Sequence, residues 1–452
     1  MSNKDSINWL EYNQESLKAA KEQNKPIFIN LFEKNCRVCE MMDQKVFSNP
    51  QCIKILNENF INIKIDTNKR ADAKRYFQRL HLLINNAPVT LPISVFATPQ
   101  NKPFFAGAYI SLESQEGSIE GMGILELAQM ISHKVKHNDK ELYKNADDVE
   151  EFLNKANHPK QATKLDKNFT KIFLSQVKEN FDTKNGGFFK SVKFPHPNIL
   201  KALIQIEDED QENIRNIVQT TLDNMYKNSF FDNKEGGFYR YSNDSKWSHP
   251  SGDKTVYDNA LLCEVYTLAY KKYKDENYLN IAKRCADFIL KTPTNMPYSA
   301  MVSSALLAIG KFDKYYLQEG LANVEKKQET NYLQDYAFLA KSYLDAHEHT
   351  KDELFLIEAQ RVTNEAIARF FKNGVWYFSD NDFKTKANPQ DNTYTSEISV
   401  MIQNMLKISI LLEDKKYQHF AFETLQYNSY ELARKPIYHP SMLIEMIKYL
   451  MV

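Results

Sequence analysis

Apolar and polar residues alternate along this chain in two different rhythms. Near the start, Pro26-Ile27-Phe28-Ile29-Asn30-Leu31-Phe32 is a short apolar run of strand-forming residues. Phe60-Ile61-Asn62-Ile63-Lys64-Ile65-Asp66 alternates as a half-buried strand does. Leu91-Pro92-Ile93-Ser94-Val95-Phe96 predicts another strand with a proline at its entry, 103–110 an aromatic strand, and 121–136 a closing helix. Beyond residue 165 the rhythm becomes helical. Tyr332, Tyr336, Leu339, Ala340, Tyr343 and Leu344 make one apolar face, and Ile398, Met401, Ile402, Met405, Leu406 and Ser409 another. About a dozen such segments follow one another to the C-terminus, and strand-like alternation is almost absent.

The break between the rhythms is charged. His137-Asn138-Asp139-Lys140 opens it, Asn157-His158-Pro159-Lys160-Gln161 closes it, and Leu142 to Leu153 reads as a solvated linker helix. We therefore expect an α/β domain over 1–137, a charged linker over 138–164 and an all-α domain over 165–452. At 452 residues the chain is too long for one ordinary core, which also argues for two domains.

An internal repeat organises the helices. Phe181-Asp182-Thr183-Lys184-Asn185-Gly186-Gly187-Phe188 recurs fifty residues later as Phe231-Asp232-Asn233-Lys234-Glu235-Gly236-Gly237-Phe238. Phe371-Lys372-Asn373-Gly374-Val375-Trp376 is a weaker copy. Paired glycines permit a positive-φ turn after a helix, and the aromatic packs back onto the core. A period near fifty fits one helical hairpin with its loop, so about six hairpins fill the region. That predicts an (α/α)6 toroid with the glycine loops around the mouth of a central cleft; an open solenoid is the competing architecture.

Chemistry concentrates first in Cys36-Arg37-Val38-Cys39, set between a strand and a helix whose Met41, Met42, Val46 and Phe47 fall at helical spacing. This is the thioredoxin-like arrangement. Free N–H groups and the positive helix end favour the Cys36 thiolate, and Cys39, one turn later, resolves the mixed disulfide. Arg37 adds a charge that lowers the Cys36 pKa. Such folds set a cis proline opposite the cysteine pair, and Pro92 is the candidate. Two cysteines so spaced are also half of a zinc site, but no second pair or His-x-His accompanies them, so no metal and no cofactor are expected. The position six residues before Cys36, where thioredoxins keep a buried carboxylate, is Asn30, which cannot act as a base. Cys52, Cys263 and Cys285 read as packed thiols.

Composition narrows the partners. Lys plus Arg and Asp plus Glu number 58 each, which removes the electrostatic case for nucleic acid or an acidic membrane surface. Five cysteines do not make a disulfide framework. Met1-Ser2-Asn3-Lys4-Asp5-Ser6 lacks the apolar core of a signal peptide, and no apolar run approaches the roughly 18 residues of a membrane span. The expectation is a cytoplasmic protein.

A second candidate site follows the second repeat. Phe238-Tyr239-Arg240-Tyr241-Ser242-Asn243-Asp244-Ser245-Lys246-Trp247 leads through His249-Pro250 to Tyr257-Asp258-Asn259-Ala260. Aromatic rings stack on sugar faces while charged groups fix hydroxyls, so Arg240, Tyr241, Asp244, Trp247, Asp258 and Asn259 are expected to line one cleft for a small carbohydrate-like ligand. The alternative is that Arg240, Asp244 and Asp258 form a structural ion-pair network with the aromatics in the core.

Over nearly its whole length the chain resembles a family of thioredoxin-domain proteins fused to a six-hairpin toroid, which includes mammalian spermatogenesis-associated proteins and bacterial relatives. The likeness rests on Trp9, Lys25-Pro26-Ile27-Phe28, the Cys36/Cys39 pair, Asn59-Phe60 through Asp66, Pro92, Thr98-Pro99, Pro103-Phe104, Gly186-Gly187-Phe188 and Lys193-Phe194-Pro195. Gly236 through Ser242, with Asp244, Trp247, Pro250, Lys254 and Tyr257-Asp258-Asn259-Ala260, is its most specific part, and Asp335-Tyr336-Ala337 adds a late match. There are departures. The family's Cys-His-Trp-Cys-His is here Cys36-Arg37-Val38-Cys39-Glu40, its Gly-Trp-Pro is Thr90-Leu91-Pro92, and its Pro-His-Phe-Glu-Lys is Pro250-Ser251-Gly252-Asp253-Lys254. The expected cleft histidine is thus absent in register, with His249 two residues away. The resemblance implies a thiol–disulfide oxidoreductase whose toroid binds a protein thiol client or a sugar-like ligand. The alternatives are a carbohydrate-active toroid, epimerase or glycosidase-like, beside a structural thioredoxin module, and a non-catalytic scaffold.

Overall fold

The computed structural model describes residues 6–34, 36–114, 121–155, 162–189, 192–207, 210–324 and 330–451; Met1–Asp5 and the linker end Asn157–Gln161 lie outside them. The chain forms two compact units, one of residues 1–158 with 381–385 and one of 159–380 with 386–452.

In the first unit the elements run β1 (Trp9–Leu10), α1 (Gln14–Gln23), β2 (Ile27–Phe32), α2 (Arg37–Met42), α3 (Pro50–Asn59), β3 (Ile61–Asp66), α4 (Ala71–Asn85), β4 (Ile93–Ala97), β5 (Pro103–Gly107), α5 (Ile124–Lys136) and α6 (Lys140–Lys155). The sheet order is β1-β3-β2-β4-β5. β3 runs parallel to β1 and β2, while β4 is antiparallel to β2 and β5. Both faces are covered, which is why β2 and β4 read as almost unbroken apolar runs. Phe28 and Phe96 meet Phe47 and Phe60 on one face. Ile27, Ile29 and Leu31 join Phe77 and Leu80 on the other.

Two features of this unit differ from the expectation. The stretch expected as a solvated linker carries α6, whose Leu142 and Ala146 are buried with Phe28 and Phe104, while Val149 and Leu153 pack against the opposite cluster. Apolar residues at intervals of three and four make α6 a core helix of this unit. The other feature is Phe383, far along the chain, which is buried against Tyr12, Tyr76 and Phe77.

Among the described residues of the second unit twelve α-helices follow: α7 (Phe169–Asn180), α8 (Pro197–Gln205), α9 (Gln211–Lys227), α10 (Val256–Tyr273), α11 (Glu276–Lys291), α12 (Tyr298–Gly310), α13 (Lys314–Val324), α14 (Leu333–Thr350), α15 (Glu353–Phe370), α16 (Glu397–Leu412), α17 (Lys415–Arg434) and α18 (Pro440–Tyr449). The even-numbered helices close a ring, each touching the next and α18 returning to α8. They are the inner ring. α12 is apolar or small almost throughout and buried on nearly every side. The odd-numbered helices pack outside, so this unit is the six-hairpin toroid rather than an open solenoid.

The two ends of the ring are built differently. From inner to outer helix the connection is often two residues: Lys274-Asp275, Lys351-Asp352 and Glu413-Asp414. The first residue of each pair is left-handed, and the aspartate caps the next helix by accepting from Asn277, Leu354 or Lys416 N–H. From outer to inner helix the loops are long, and the glycine repeats lie there, at the N-terminal ends of the inner helices. Gly186 and Gly236 have φ of 70° and 77°. A Cβ there would stand 2.7 Å from Thr221 Cα and 2.5 Å from the Arg284 carbonyl oxygen respectively, so only glycine fits.

Candidate functional site

In the first unit, β2 ends just before Cys36, which occupies the N-cap of α2. The Cys39 N–H donates to Cys36 Sγ at 3.2 Å. The two Cα atoms are 5.2 Å apart and the sulfurs are bonded at 2.19 Å. Cys39 is buried, whereas Cys36 is partly exposed beside the exposed Arg37 and Val38. This asymmetry suits an attacking and a resolving cysteine. Cys36 Sγ lies 3.9 Å from the Leu91 carbonyl oxygen, and the Leu91–Pro92 bond is cis. Beneath the helix, Asn30 is buried with its amide 4.0 Å from Met42 Sδ, flanked in register by Lys64 and Ser94. Lys64 pairs with Asp43 at 2.6 Å. The other thiols are held inert. Burial pushes Cys52 up to about 12 and raises Cys263 and Cys285 as well.

In the second unit the six toroid residues singled out above take different places. Arg240 and Asp258 line a cavity of about 340 Å³ at the N-terminal ends of α8, α10 and α18. Tyr241 stands beside it, packed on Phe194 at 5.4 Å. Asn259 is fully buried: its Oδ1 accepts from Phe238 N–H at 2.6 Å, and its Nδ2 donates to the Phe238 and Thr255 carbonyls, each at 2.9 Å. Trp247 is also fully buried, its indole N–H donating to the Asn185 carbonyl at 3.0 Å. Asp244 folds its own loop, accepting from Ser242 Oγ, Ser248 N–H and His249 Nδ1. Burial opposes its ionisation, but those hydrogen bonds outweigh it and hold the carboxyl well below its usual range.

The cavity also takes residues that the local sequence pattern did not indicate. Phe189, Phe194, His196, Asp391 and Tyr438 come from three further loops. Phe189 and Tyr438 lie parallel within 3°, centroids 6.4 Å apart. His196 is ringed by Phe188, Phe189 and Phe194. That enclosure, with Lys193 nearby, lowers its pKa to about 4, so the imidazole is neutral. Asp258 is pushed up to about 7 by burial, against the opposing pull of Thr255 and Arg240. Burial likewise lifts Asp391 to about 6, although Ser396 and Ser441 N–H groups each donate to it at 2.8 Å.

Two lysines fix the loops that carry these groups. Lys193 Nζ donates to Asp182 at 3.0 Å and to the Gly186 carbonyl at 2.7 Å. Lys254 repeats the contact in the next copy, on Asp232 at 2.7 Å and Gly236 at 3.0 Å. The loops are joined by reciprocal backbone bonds between Lys193 and Ser242, each 2.9 Å.

Residues 1–154 match the family described as "Thioredox_DsbH: Protein of unknown function, DUF255". Spermatogenesis-associated protein 20 of Mus musculus is 28% identical over 295 residues, 63% of this chain and 37% of the relative. Its Homo sapiens counterpart is 27% identical over 300 residues, with the same two shares of 63% and 37%. The chain is thus similar to this family over residues 1–154 and to these relatives over 63% of its length. It spans a little over a third, 37%, of the length of those relatives. For the toroid, a sugar epimerase from a ruminal bacterium superposes with a TM-score of 0.51 at 12% identity, covering 62% of this chain and 96% of that one. Cellobiose 2-epimerase of Bacillus thermoamylovorans gives 0.50 at 13%, covering 62% and 97%. A D-mannose isomerase gives 0.50 at 9%, covering 65% and 99%. At such identities the likeness establishes the toroid fold alone.

His249 is 76% exposed and belongs to the Asp244 turn, whereas His196 lines the cavity from another loop. The signal for it was present in Phe194-Pro195-His196-Pro197, a rigid segment entering an inner helix with proline at its first turn. Among the described residues no cluster of His, Cys, Asp and Glu could hold a metal ion. No described helix is long and apolar enough to cross a membrane.

Proposed function

We propose that the protein is a cytoplasmic thiol–disulfide oxidoreductase using the Cys36/Cys39 pair, with a helical toroid that binds a client or a sugar-like ligand. The observation that carries the reading is the placement of a partly exposed Cys36 at a helix N-terminus with the buried Cys39 within disulfide reach. In the reduced protein the Cys36 thiolate attacks a client disulfide, forming a mixed disulfide and releasing one client thiolate. Cys39 then attacks Cys36 Sγ, which frees the second client thiol and leaves the intramolecular disulfide. Two electrons pass to the client, and an external dithiol restores the pair. Arg37 favours the thiolate, and Pro92 with the Leu91 carbonyl forms the wall against which an extended client lies. The three buried free thiols suit a reducing compartment.

A second reading is supported by the toroid cavity. A neutral imidazole, a carboxyl held protonated near neutrality and aromatic walls are the materials of sugar chemistry, and the structural neighbours named above include epimerases.

Reduction of a small protein disulfide, followed by turbidity with dithiothreitol as donor, tests the first reading. Cys36→Ser should abolish the activity, and Cys39→Ser should trap the mixed disulfide. Equal rates for wild type and Cys36→Ser would overturn it.

A further inference from the structure

The cavity at the N-terminal ends of the inner helices α8, α10 and α18 has the size and lining of a ligand pocket. Its volume, about 340 Å³, falls at the lower end of the range of about 300–1,000 Å³ for ligand pockets. Two of its walls are non-glycine residues with left-handed backbone, Phe189 at φ 62° and His196 at φ 44°. Such conformations cost energy and cluster where a side chain must be aimed. No protein group among the described residues hydrogen-bonds the ring nitrogens of His196. Arg240 has one ion-pair contact, Nη1 to Asp253 at 3.9 Å, too long for a hydrogen bond, and Asp253 is itself mostly in solvent. The negative charges facing this cation are blunted. Asp391 spends both oxygens on backbone N–H groups of Ser396 and Ser441, and Asp258 is buried and accepts from the Thr255 hydroxyl. What remains is a guanidinium and an imidazole that no protein group hydrogen-bonds among the described residues, beside flat aromatic surface in one cavity.

We propose that this cavity binds a monosaccharide carrying a carboxylate, a sugar acid. One apolar ring face lies against the aromatic surface made by the Phe189–Tyr438 pair, its carboxylate on Arg240 and its hydroxyls on His196 and Asp258. The proposal rests on the reading of the toroid as a carbohydrate-binding module and narrows it to acidic sugars. Aromatic faces take the apolar faces of a pyranose, and a planar guanidinium matches a carboxylate as it cannot match a hydroxyl. The N-terminal ends of α8, α10 and α18 add positive potential in the same direction.

Calorimetric titration of the full chain with glucuronate, galacturonate, glucose, galactose and acetate tests this. A uronate should bind roughly 10- to 100-fold tighter than the matching neutral sugar, the worth of a charged hydrogen bond. Arg240→Gln, at a half-exposed position, should erase that preference while leaving the melting temperature unchanged. Acetate should not bind. A uronate-terminated disaccharide in parallel distinguishes a free sugar acid from the end of an oligosaccharide. Equal affinity for neutral and acidic sugars, a preference that survives Arg240→Gln, or no binding by any of them would overturn the proposal. Thiol–disulfide activity measured on the same samples reports separately on the redox reading.

Discussion

Trp247 and Asp258 stand eleven residues apart in one loop-to-helix segment and do different work. Trp247 is a bolt: its ring fills the space where a Cβ on Gly187 would come within 2.6 Å, and its N–H holds the first glycine loop. Trp247→Ala should therefore lower stability by about 3–5 kcal/mol, read by denaturant unfolding. An unchanged unfolding midpoint would show the ring to be dispensable to the core. Asn259→Ala should cost about 1–3 kcal/mol, since it strands the Phe238 N–H in the interior. Asp258 carries a pH signature. Its folded-state pKa, near 7, lies above the ordinary carboxylate value, so the folded protein holds a proton that the unfolded chain releases. The resulting stabilisation is full below about pH 4 and is lost as pH rises through about 7. Asp391, lifted to about 6, slopes the same way. Asp258→Asn should flatten the decline in stability between about pH 5 and about pH 8; an unaltered slope would show that Asp258 is ionised throughout.

At the scale of elements, the pattern of apolar positions carried the strands and inner helices well. Ile27–Phe32 and Ile61–Asp66 fall inside the runs read from the sequence, and Ile93–Ala97 overruns its own by one residue, because a doubly covered sheet demands continuous apolar residues. The glycine repeats announced their turns because Gly186 and Gly236 have no substitute where a neighbouring backbone comes so close. The linker reading failed at α6 because its charges face solvent while Leu142, Ala146, Val149 and Leu153 face the sheet, and polarity alone hides a narrow apolar stripe. Phe383 was illegible for another reason: nothing local distinguishes a phenylalanine that packs some three hundred residues away in sequence from Tyr76 and Phe77. The candidate cavity was half legible. Arg240 and Asp258 lie in the dense segment, but Phe189, His196, Asp391 and Tyr438 arrive from separate loops that only ring closure brings together. The lysine clamps offer an element-scale test. Lys254→Met should leave Asp232 and the Gly236 carbonyl without their cation and lower the melting temperature by several degrees; no change would show the loop to be self-supporting.

For the whole molecule, ring closure explains a band of partly buried charge that no single helix accounts for. Lys201 of α8 pairs with Glu264 of α10, and Lys341 of α14 reaches Glu264 at 3.1 Å and Asp345 at 2.8 Å. Lys407 of α16 reaches Asp345 at 3.5 Å and Glu348 at 2.9 Å. These alternating charges cross the toroid interior beside a second cavity of about 220 Å³. Glu264→Gln removes the carboxylate that holds Lys201 and leaves Lys341 with Asp345 alone, so it should cost about 1–3 kcal/mol in chemical unfolding. The toroid is thus held by its axis as well as by its apolar walls, while its opposite end is left open for the cavity with Arg240, His196 and Asp258. The central claim lies in the other unit, that Cys36 and Cys39 form a reversible redox pair. Thiol counting by alkylation and intact-mass measurement across a glutathione redox series tests it most directly. The chain should lose two thiols together as the buffer turns oxidising and regain them on reduction. Cys52, Cys263 and Cys285 should stay free throughout, and Cys36→Ser should lose none. All five thiols remaining free in strongly oxidising buffer would contradict it.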